Sequence, residues 1–337
     1  MAVTQADVAA RAGVSAKTVS NVVNNYPHVR PEVTDRVNSA ITELGYTPSH
    51  AARSLRLGRS RVIQLVVPEL DVPYFAELAR GVIQCADERG LTVIVVQTLG
   101  DLQRERDALE GRSGDYAEGT ILSPLGTAAS IQTHARPKAP VVLIGEPSPN
   151  HAYDHVGIDN VAGARAATEH LIDIGRRRIA FIGKQEGHQL PMADERHEGY
   201  LAALRAANLP NGEEYQKVTG AYHRADGATA LRELATLQEP PDAVFCATDL
   251  LALGAMRAAY ELGLEIPRDL AVVGFDDLEE GRFYVPSLTT ISPDKASIAR
   301  LAVERLVSQI DGSTVDGRTV DVVVPHALQR RESTIGR

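Results

Sequence analysis

Ala16, Lys17, Ser20 and Asn21 recur at helical spacing on the side opposite Val19, Val22 and Val23. A polar face of this kind, on a short helix joined to another by a tight turn, is suited to hydrogen bonding with base edges in the DNA major groove. The head that must position it reads as three helices. Thr4 is placed to cap the first, with Asp7 as the acidic reply three residues on, and Val8, Ala9 and Ala12 form its apolar side. Gly13 supplies the left-handed turn and Ser15 caps the second helix. Pro31 and Glu32 open the third, Val33, Val37, Ile41 and Leu44 make its buried stripe, and Gly45 stops it.

Charge supports a nucleic-acid partner. Residues 1–61 hold eight Lys/Arg and four Asp/Glu, while the whole 337-residue chain carries −9. A basic head on an acidic body concentrates phosphate attraction at one end. Tyr46-Thr47-Pro48 breaks the third helix, and the basic stretch 49–56 is helix-competent but too short to be stable alone.

The run TQADVAARAGVSAKTVSNVVNNYPHV, followed by RPEVTDRVNSAITELGYTPSHAARSLRLGRS, resembles the head of the lactose/galactose-repressor (LacI-type) family of bacterial transcriptional regulators. The resemblance implies that Ala16, Lys17 and Asn21 read bases: Lys17 can donate to guanine O6/N7, Asn21 can pair with an adenine edge or hold a phosphate, and Ala16 can touch a thymine methyl. Thr4, Ser15, Thr18, Ser20, Asn24 and His28 complete the expected DNA face. It also implies that residues 47–61 form a hinge that folds only on the operator, with Arg53 on the DNA and Leu55 wedged into the central minor-groove step of a dimer. Such coupled folding makes the hinge a switch.

From Val62 onward apolar runs alternate with amphipathic stretches. Residues 62–67, 91–96, 120–122, 141–144, 179–182, 243–246 and 270–275 read as buried parallel strands, and segments such as 75–89, 162–174, 196–207, 225–237, 250–262 and 295–310 as helices. This predicts an α/β body of doubly wound parallel sheets behind an all-α helix-turn-helix head. The series restarts after Asp159, so two lobes are expected. The expected boundaries are a head at 1–46, a hinge at 47–61 and a body at 62–337; lobe 1 takes about 62–159 and 289–320, lobe 2 about 160–288 and 321–337. In this reading Thr289-Thr290-Ile291 and the helix after it return to the first lobe.

The stretches GIDNVAGARAATEHLIDIGRRRIAFIG, ATDLLALGAMRAAYELGLEIPRDLAVVGFDD and VPSLTTI extend the resemblance over nearly the whole chain. They imply a periplasmic-binding-protein type of body, two lobes joined by three crossovers. Ligands of open α/β sheets collect at the carboxyl ends of strands. That rule and the family pattern together place Tyr74, Phe75, Ser123, Arg196, Tyr222, Thr248 and Asp276 around an effector. Aromatic faces would cover C–H surfaces while Arg and Asp grip hydroxyls, the chemistry of a sugar site. Thr248 stands where many relatives carry Asn and Gly145 where many carry Asp, which removes polar grips.

No apolar N-terminal export segment or membrane-length run is seen, so a cytoplasmic protein is expected. Cys85 and Cys246 read as core thiols, and the ten scattered His, His151 and His155 included, suggest no metal site. With no GxGxxG, P-loop, GxSxG or nucleophile–base pair, neither an enzyme nor a cofactor is expected. Residues 329–337 carry no leucine heptad, which favours a homodimer. The expected function is a repressor of carbohydrate-utilisation genes that binds palindromic operator DNA under control of a small molecule. The alternative is a sugar-binding protein of a transport system without DNA function.

Overall fold

Thr4 and Ser15 open the first two helices. In the computed structural model, which describes residues 3–24, 26–46, 59–110, 117–125, 137, 139–145, 152–185, 191–313 and 319–336, α1 spans Gln5–Ala12, α2 Ala16–Val23 and α3 Pro31–Leu44. Thr4 Oγ accepts from the Asp7 amide at 3.3 Å and the Thr4 amide donates to Asp7 at 2.8 Å, a reciprocal cap. Ser15 Oγ accepts from the Thr18 amide at 3.1 Å. Gly13 and Gly45 both take φ of 64°, the left-handed conformation that a side chain would disfavour. Val8, Val19 and Val37 form a small buried core with Ala9, Ala12, Val22 and Ala40. Val33, Ile41 and Leu44 are only half-buried at its edge.

The chain divides into two compact units, Met1–Arg61 and Val62–Arg337. The second is built on two six-stranded sheets. The first sheet contains β1 (Val62–Val67), β2 (Thr92–Gln97), β3 (Thr120–Leu122), β4 (Val141–Ile144), β5 (Asp154–Ile158) and β11 (Asp321–Val324), in the order β11-β5-β4-β3-β1-β2 and parallel throughout. Helices α4 (Pro73–Asp87) and α11 (Lys295–Ile310) cover one face, where Leu78, Val82 and Ala86 join Ala299, Ala302 and Val303 in one core. Helix α5 (Leu102–Leu109) brings Ala108 and Leu109 into a smaller core with Val66, Leu122, Val141 and Leu143. Burial on both faces is why these strands read as continuous apolar runs.

The second sheet contains β6 (Ile179–Lys184), β7 (Gln216–Val218), β8 (Ala243–Cys246), β9 (Ala271–Phe275), β10 (Thr289–Pro293) and β12 (His326–Gln329), in the order β12-β10-β9-β8-β6-β7. Only the edge strand β12 runs antiparallel. Around it lie α6 (Asn160–Asp173), α7 (Pro191–Ala206), α8 (Arg224–Leu234), α9 (Asp249–Glu261), α10 (Glu279–Phe283) and α12 (Glu332–Ile335).

The expected division of the lobes needs correction at two strands. Thr289–Pro293 does not return to the first lobe. It lies parallel beside β9, with Thr289 opposite Val273 and Ile291 opposite Phe275, so the second sheet claims it. Conversely Asp321–Val324 belongs to the first sheet, paired with β5 from Asp321 opposite His155 to Val324 opposite Ile158. The chain therefore crosses between lobes three times, after β5, after β10 and after β11.

Helices α8 and α9 meet through reciprocal glycines. A Cβ on Gly227 would lie 2.0 Å from the Leu251 carbonyl oxygen, and one on Gly254 would lie 1.8 Å from that of Arg224. Backbone atoms cannot yield as a side chain can. Gly254→Ala is expected to lower stability by about 1–3 kcal/mol, the usual penalty for overpacking, read as a reduced urea midpoint. Cys246 is buried in β8 and Cys85 half-buried on α4, both as free thiols. Among the described residues no helix is long and apolar enough to cross a membrane, and no group of three or more His, Cys, Asp or Glu is arranged to hold a metal ion.

Candidate functional site

In the head, Ala16 and Lys17 are exposed and Asn21 half-exposed on α2, a polar face opposite Val19. Thr4 and Ser15 are exposed at the starts of α1 and α2, Thr18 is half-buried, and Asn24 and His28 are exposed beyond α2. His28 meets Tyr26 edge-on, with ring centroids 5.5 Å apart.

Ser20 is a correction. It is 5% exposed, and Asn24 Nδ2 donates to its carbonyl at 2.6 Å. At about 100° per residue Ser20 falls about 60° from Val23 and about 60° from Lys17, on the border between the buried arc and the polar face. Arg53 and Leu55 lie outside the described residues, as does most of the expected hinge.

In the body, a cavity of about 260 Å³ lies between the two sheets. All seven expected effector positions line it: Tyr74, Phe75 and Ser123 from the first lobe, and Arg196, Tyr222, Thr248 and Asp276 from the second. The strand-end rule explains three of the seven. Ser123 follows β3, Thr248 follows β8 by one residue, and Asp276 follows β9 directly.

Arg196 is the centre of this arrangement. It is 6% exposed; its Nε donates to Asn160 Oδ1 at 3.0 Å and its Nη1 to the Ala247 carbonyl at 2.5 Å. Its guanidinium lies 3.6 Å from the Phe275 ring centroid, and Nη1 is 3.6 Å from Asp276 Oδ1. A planar, fixed cation stacked on an aromatic face is the role that suits Arg better than Lys. Burial raises the Asp276 carboxyl to about 6, against the opposing pull of Arg196 and Lys295.

Asp276 also departs from ordinary backbone geometry. Its φ is 115° and that of Asp277 is 48°. Conformations of this kind cost of order 1–3 kcal/mol and persist only where neighbours hold them. Here the Asp276 amide donates to the Ile291 carbonyl at 2.9 Å, and the Leu278 amide donates to Asp249 Oδ2 at 2.7 Å. Lys295 Nζ donates to the carbonyls of Asp276 at 2.8 Å and Asp277 at 3.0 Å, and pairs with Glu77. Burial pushes the Asp277 carboxyl up, but bonds from Arg331, Arg282 and Ser292 together hold it below the usual range. Asp249, fully buried behind the loop, is driven well up by burial and by the charge of Asp276.

Several polar groups around the cavity are already committed. Thr248 Oγ caps α9 by accepting from the Leu251 amide at 3.3 Å, and Tyr222 donates its hydroxyl to the Gly183 carbonyl at 3.0 Å. Glu69 of the first lobe and His223 of the second approach to 3.7 Å. Residue-by-residue reasoning missed Asn160, which holds Arg196, and the lining residues Leu125, Met192 and Leu278. Asn160 was within reach of the strand-end rule. It follows β5 by one residue, but β5 is not among the strands that the apolar runs predict.

A helix-turn-helix head joined to a two-lobed body with a polar-centred cavity defines a ligand-controlled DNA-binding regulator. Residues 4–49 match the family described as bacterial regulatory proteins, lacI family, and residues 168–334 match a periplasmic binding protein-like domain. The ribose operon repressor of Escherichia coli K12 is 37% identical over 332 residues, covering 97% of this chain and 98% of the relative. The solved structure of the Lac repressor dimer bound to operator and the anti-inducer ONPF superposes with a TM-score of 0.83 at 26% identity, covering 99% of each chain. A transcriptional regulator CelR–cellobiose complex gives 0.73 at 32% identity, covering 98% of this chain and 99% of that one. The chain belongs to the lacI family of bacterial regulatory proteins. It is a DNA-binding transcriptional regulator, and the alternative of a transport protein without DNA function does not account for residues 4–49.

Proposed function

We propose that this chain is a repressor of carbohydrate-utilisation genes that binds a near-palindromic operator as a homodimer, and that a sugar or sugar derivative in the interlobe cavity controls its affinity. The observation that carries the reading is the convergence of seven separated positions, from Tyr74 to Asp276, on one cavity around Arg196 and Asp276. The relatives support it: one is a ribose operon repressor, one was solved on operator as a dimer, and one with cellobiose. Lys17 and Asn21 contact base edges. Effector acts through its different affinity for the two lobe arrangements, and a shift from 1:99 to 99:1 needs about 5.5 kcal/mol of such preference.

The test is footprinting of the full chain on the promoter region of its own gene, with and without candidate sugars. Protection of an inverted repeat that changes with a sugar is expected. Protection of no inverted repeat, or protection indifferent to every sugar, overturns the reading. Lys17→Ala is expected to lose about 1–3 kcal/mol of discrimination at one base pair of each half-site, the worth of a good side-chain–base pairing. Titration against singly substituted operators measures it.

A further inference from the structure

We propose that Lys295 and Glu77 are positioning residues for the effector site: together they tie the Asp276–Asp277 loop of the second lobe to α4 of the first. The proposal rests on reading the cavity as the effector site, yet neither residue is among those that line it.

Lys295 opens α11, just after the chain has crossed from β10 in the second sheet to a helix packed on the first. Its backbone therefore belongs to the first lobe. Its ammonium ends on the second, where Nζ donates to the carbonyls of Asp276 at 2.8 Å and Asp277 at 3.0 Å. Glu77 reaches across from α4 in the same way. One carboxylate oxygen pairs with Lys295, and the other accepts from the Glu279 amide at 3.3 Å. Three backbone groups of the second lobe, the carbonyls of 276 and 277 and the amide of 279, thus end on two side chains of the first. Lys295 is 16% and Glu77 19% exposed, so water competes weakly for these bonds.

The loop they grip is strained. Asp276 and Asp277 take φ of 115° and 48°, conformations that neighbours must hold. The second lobe holds the Asp277 side chain through Arg331, Arg282 and Ser292. The first lobe holds the backbone. That backbone aims the Asp276 carboxylate, which lies 3.6 Å from Arg196 and lines the cavity. Lys295 also stands 6.0 Å from the ring centroid of Tyr74, on the first-lobe wall of the same cavity. A lobe movement that stretches these bonds frees the loop and turns Asp276 away. A ligand that fixes Asp276 favours the arrangement in which the bonds are made. Linkage makes the two effects equal in size.

Hydrogen exchange of the full chain tests this without a ligand. In Lys295→Met the amides of residues 276–279 are expected to exchange about tenfold or more faster than in wild type, while those of β9 keep their rates. Glu77→Gln keeps an acceptor for the Glu279 amide but loses the charge. It is expected to give about a threefold acceleration at the same amides, and it carries the test if Lys295→Met does not fold. The double variant is expected to match Lys295→Met within twofold, because both changes break one chain of bonds. Unchanged exchange at 276–279, acceleration shared equally by β9, or single effects that multiply in the double variant overturns the proposal. A second arm reads operator affinity by gel shift with D-ribose and with cellobiose. Where the wild type responds to either sugar, Lys295→Met is expected to lose at least two thirds of the response, and an undiminished response overturns the proposal. A wild type that responds to neither counts against the sugar-effector reading instead, and the exchange rates still decide the role of Lys295 and Glu77.

Discussion

Arg196→Ala is expected to bind operator DNA at wild-type affinity and to lose its response to effector. The head folds on its own caps and valine core, none of which involves residue 196. In the body the change removes a buried guanidinium that touches Asn160, Ala247, Phe275 and Asp276. Deleting one member of a buried charge pair typically costs about 3–5 kcal/mol, because the other is left uncompensated. Part of that falls on the stability of the second lobe, since Asp276 is able to take up a proton. The rest falls on ligand, which loses its donor. Effector affinity is expected to drop at least a hundredfold, measured by calorimetry, while operator affinity by gel shift stays within twofold. Arg196→Lys separates charge from geometry. A point charge on a flexible stem keeps the attraction to Asp276 but cannot hold Asn160 and Ala247 together, so an intermediate loss is expected. A fully responsive Arg196→Lys would place the role of Arg196 in its charge alone.

The force of that prediction comes from how the site is built. Asn160 begins α6 at the crossover out of the first lobe, Ala247 ends the segment after β8, and Phe275 ends β9. One side chain on α7 therefore touches three elements that surround the cavity. Glu77 joins the same region from the first lobe. It pairs with Lys295, which grips the Asp276–Asp277 backbone, and accepts from the Glu279 amide at 3.3 Å. Lobe position and cavity geometry are thus held by a shared set of bonds. That is the structural requirement for a ligand with different affinities in two lobe arrangements to shift the balance between them.

Much of this was readable in the residues, and the exceptions have physical causes. The strands buried on both faces announced themselves as apolar runs, and the cleft positions followed from their carboxyl ends together with the family resemblance. Strand β5 escaped because it opens with Asp154 and His155. Their polarity is satisfied only from distant residues: Asp154 accepts from the Val320 amide at 2.8 Å, and His155 meets Asp321 at 2.7 Å. No local pattern reveals a strand stabilised by partners some 166 positions away. Strands β11 and β12, four residues each at sheet edges, carry too little periodicity to assign. The misplacement of Thr289–Pro293 arose because a crossover leaves no mark at the strand before it. Helix α5 did carry a signal that went unused. Asp101 caps it by accepting from the amides of Gln103 and Arg104 at 2.8 and 3.0 Å. Ser20 shows the limit of face assignment on an eight-residue helix, where one position at the edge of the buried arc tips inward.

Acid is expected to stabilise the second lobe through Asp276 while weakening effector binding through the same carboxyl. Burial raises this group to about 6 in the folded chain, against about 3.9 in an unfolded one. Between those values the folded protein holds a proton that the unfolded chain has released. Stability therefore falls as pH rises from about 4 to about 6, by roughly 3 kcal/mol for a shift of about two pK units. Asp249 is raised as well and acts in the same direction, so the proper measure is the difference between wild type and Asp276→Asn, in which Asp249 remains. That difference in unfolding free energy should shrink the advantage of the variant as pH drops from 7 to 5. Binding runs the other way, because a hydroxyl donates to the ionised carboxylate. Wild-type affinity should fall about tenfold per pH unit below 6, whereas Asp276→Asn should bind weakly at every pH and show no such slope. Parallel pH profiles for the two proteins, in both unfolding and binding, would remove Asp276 from the site.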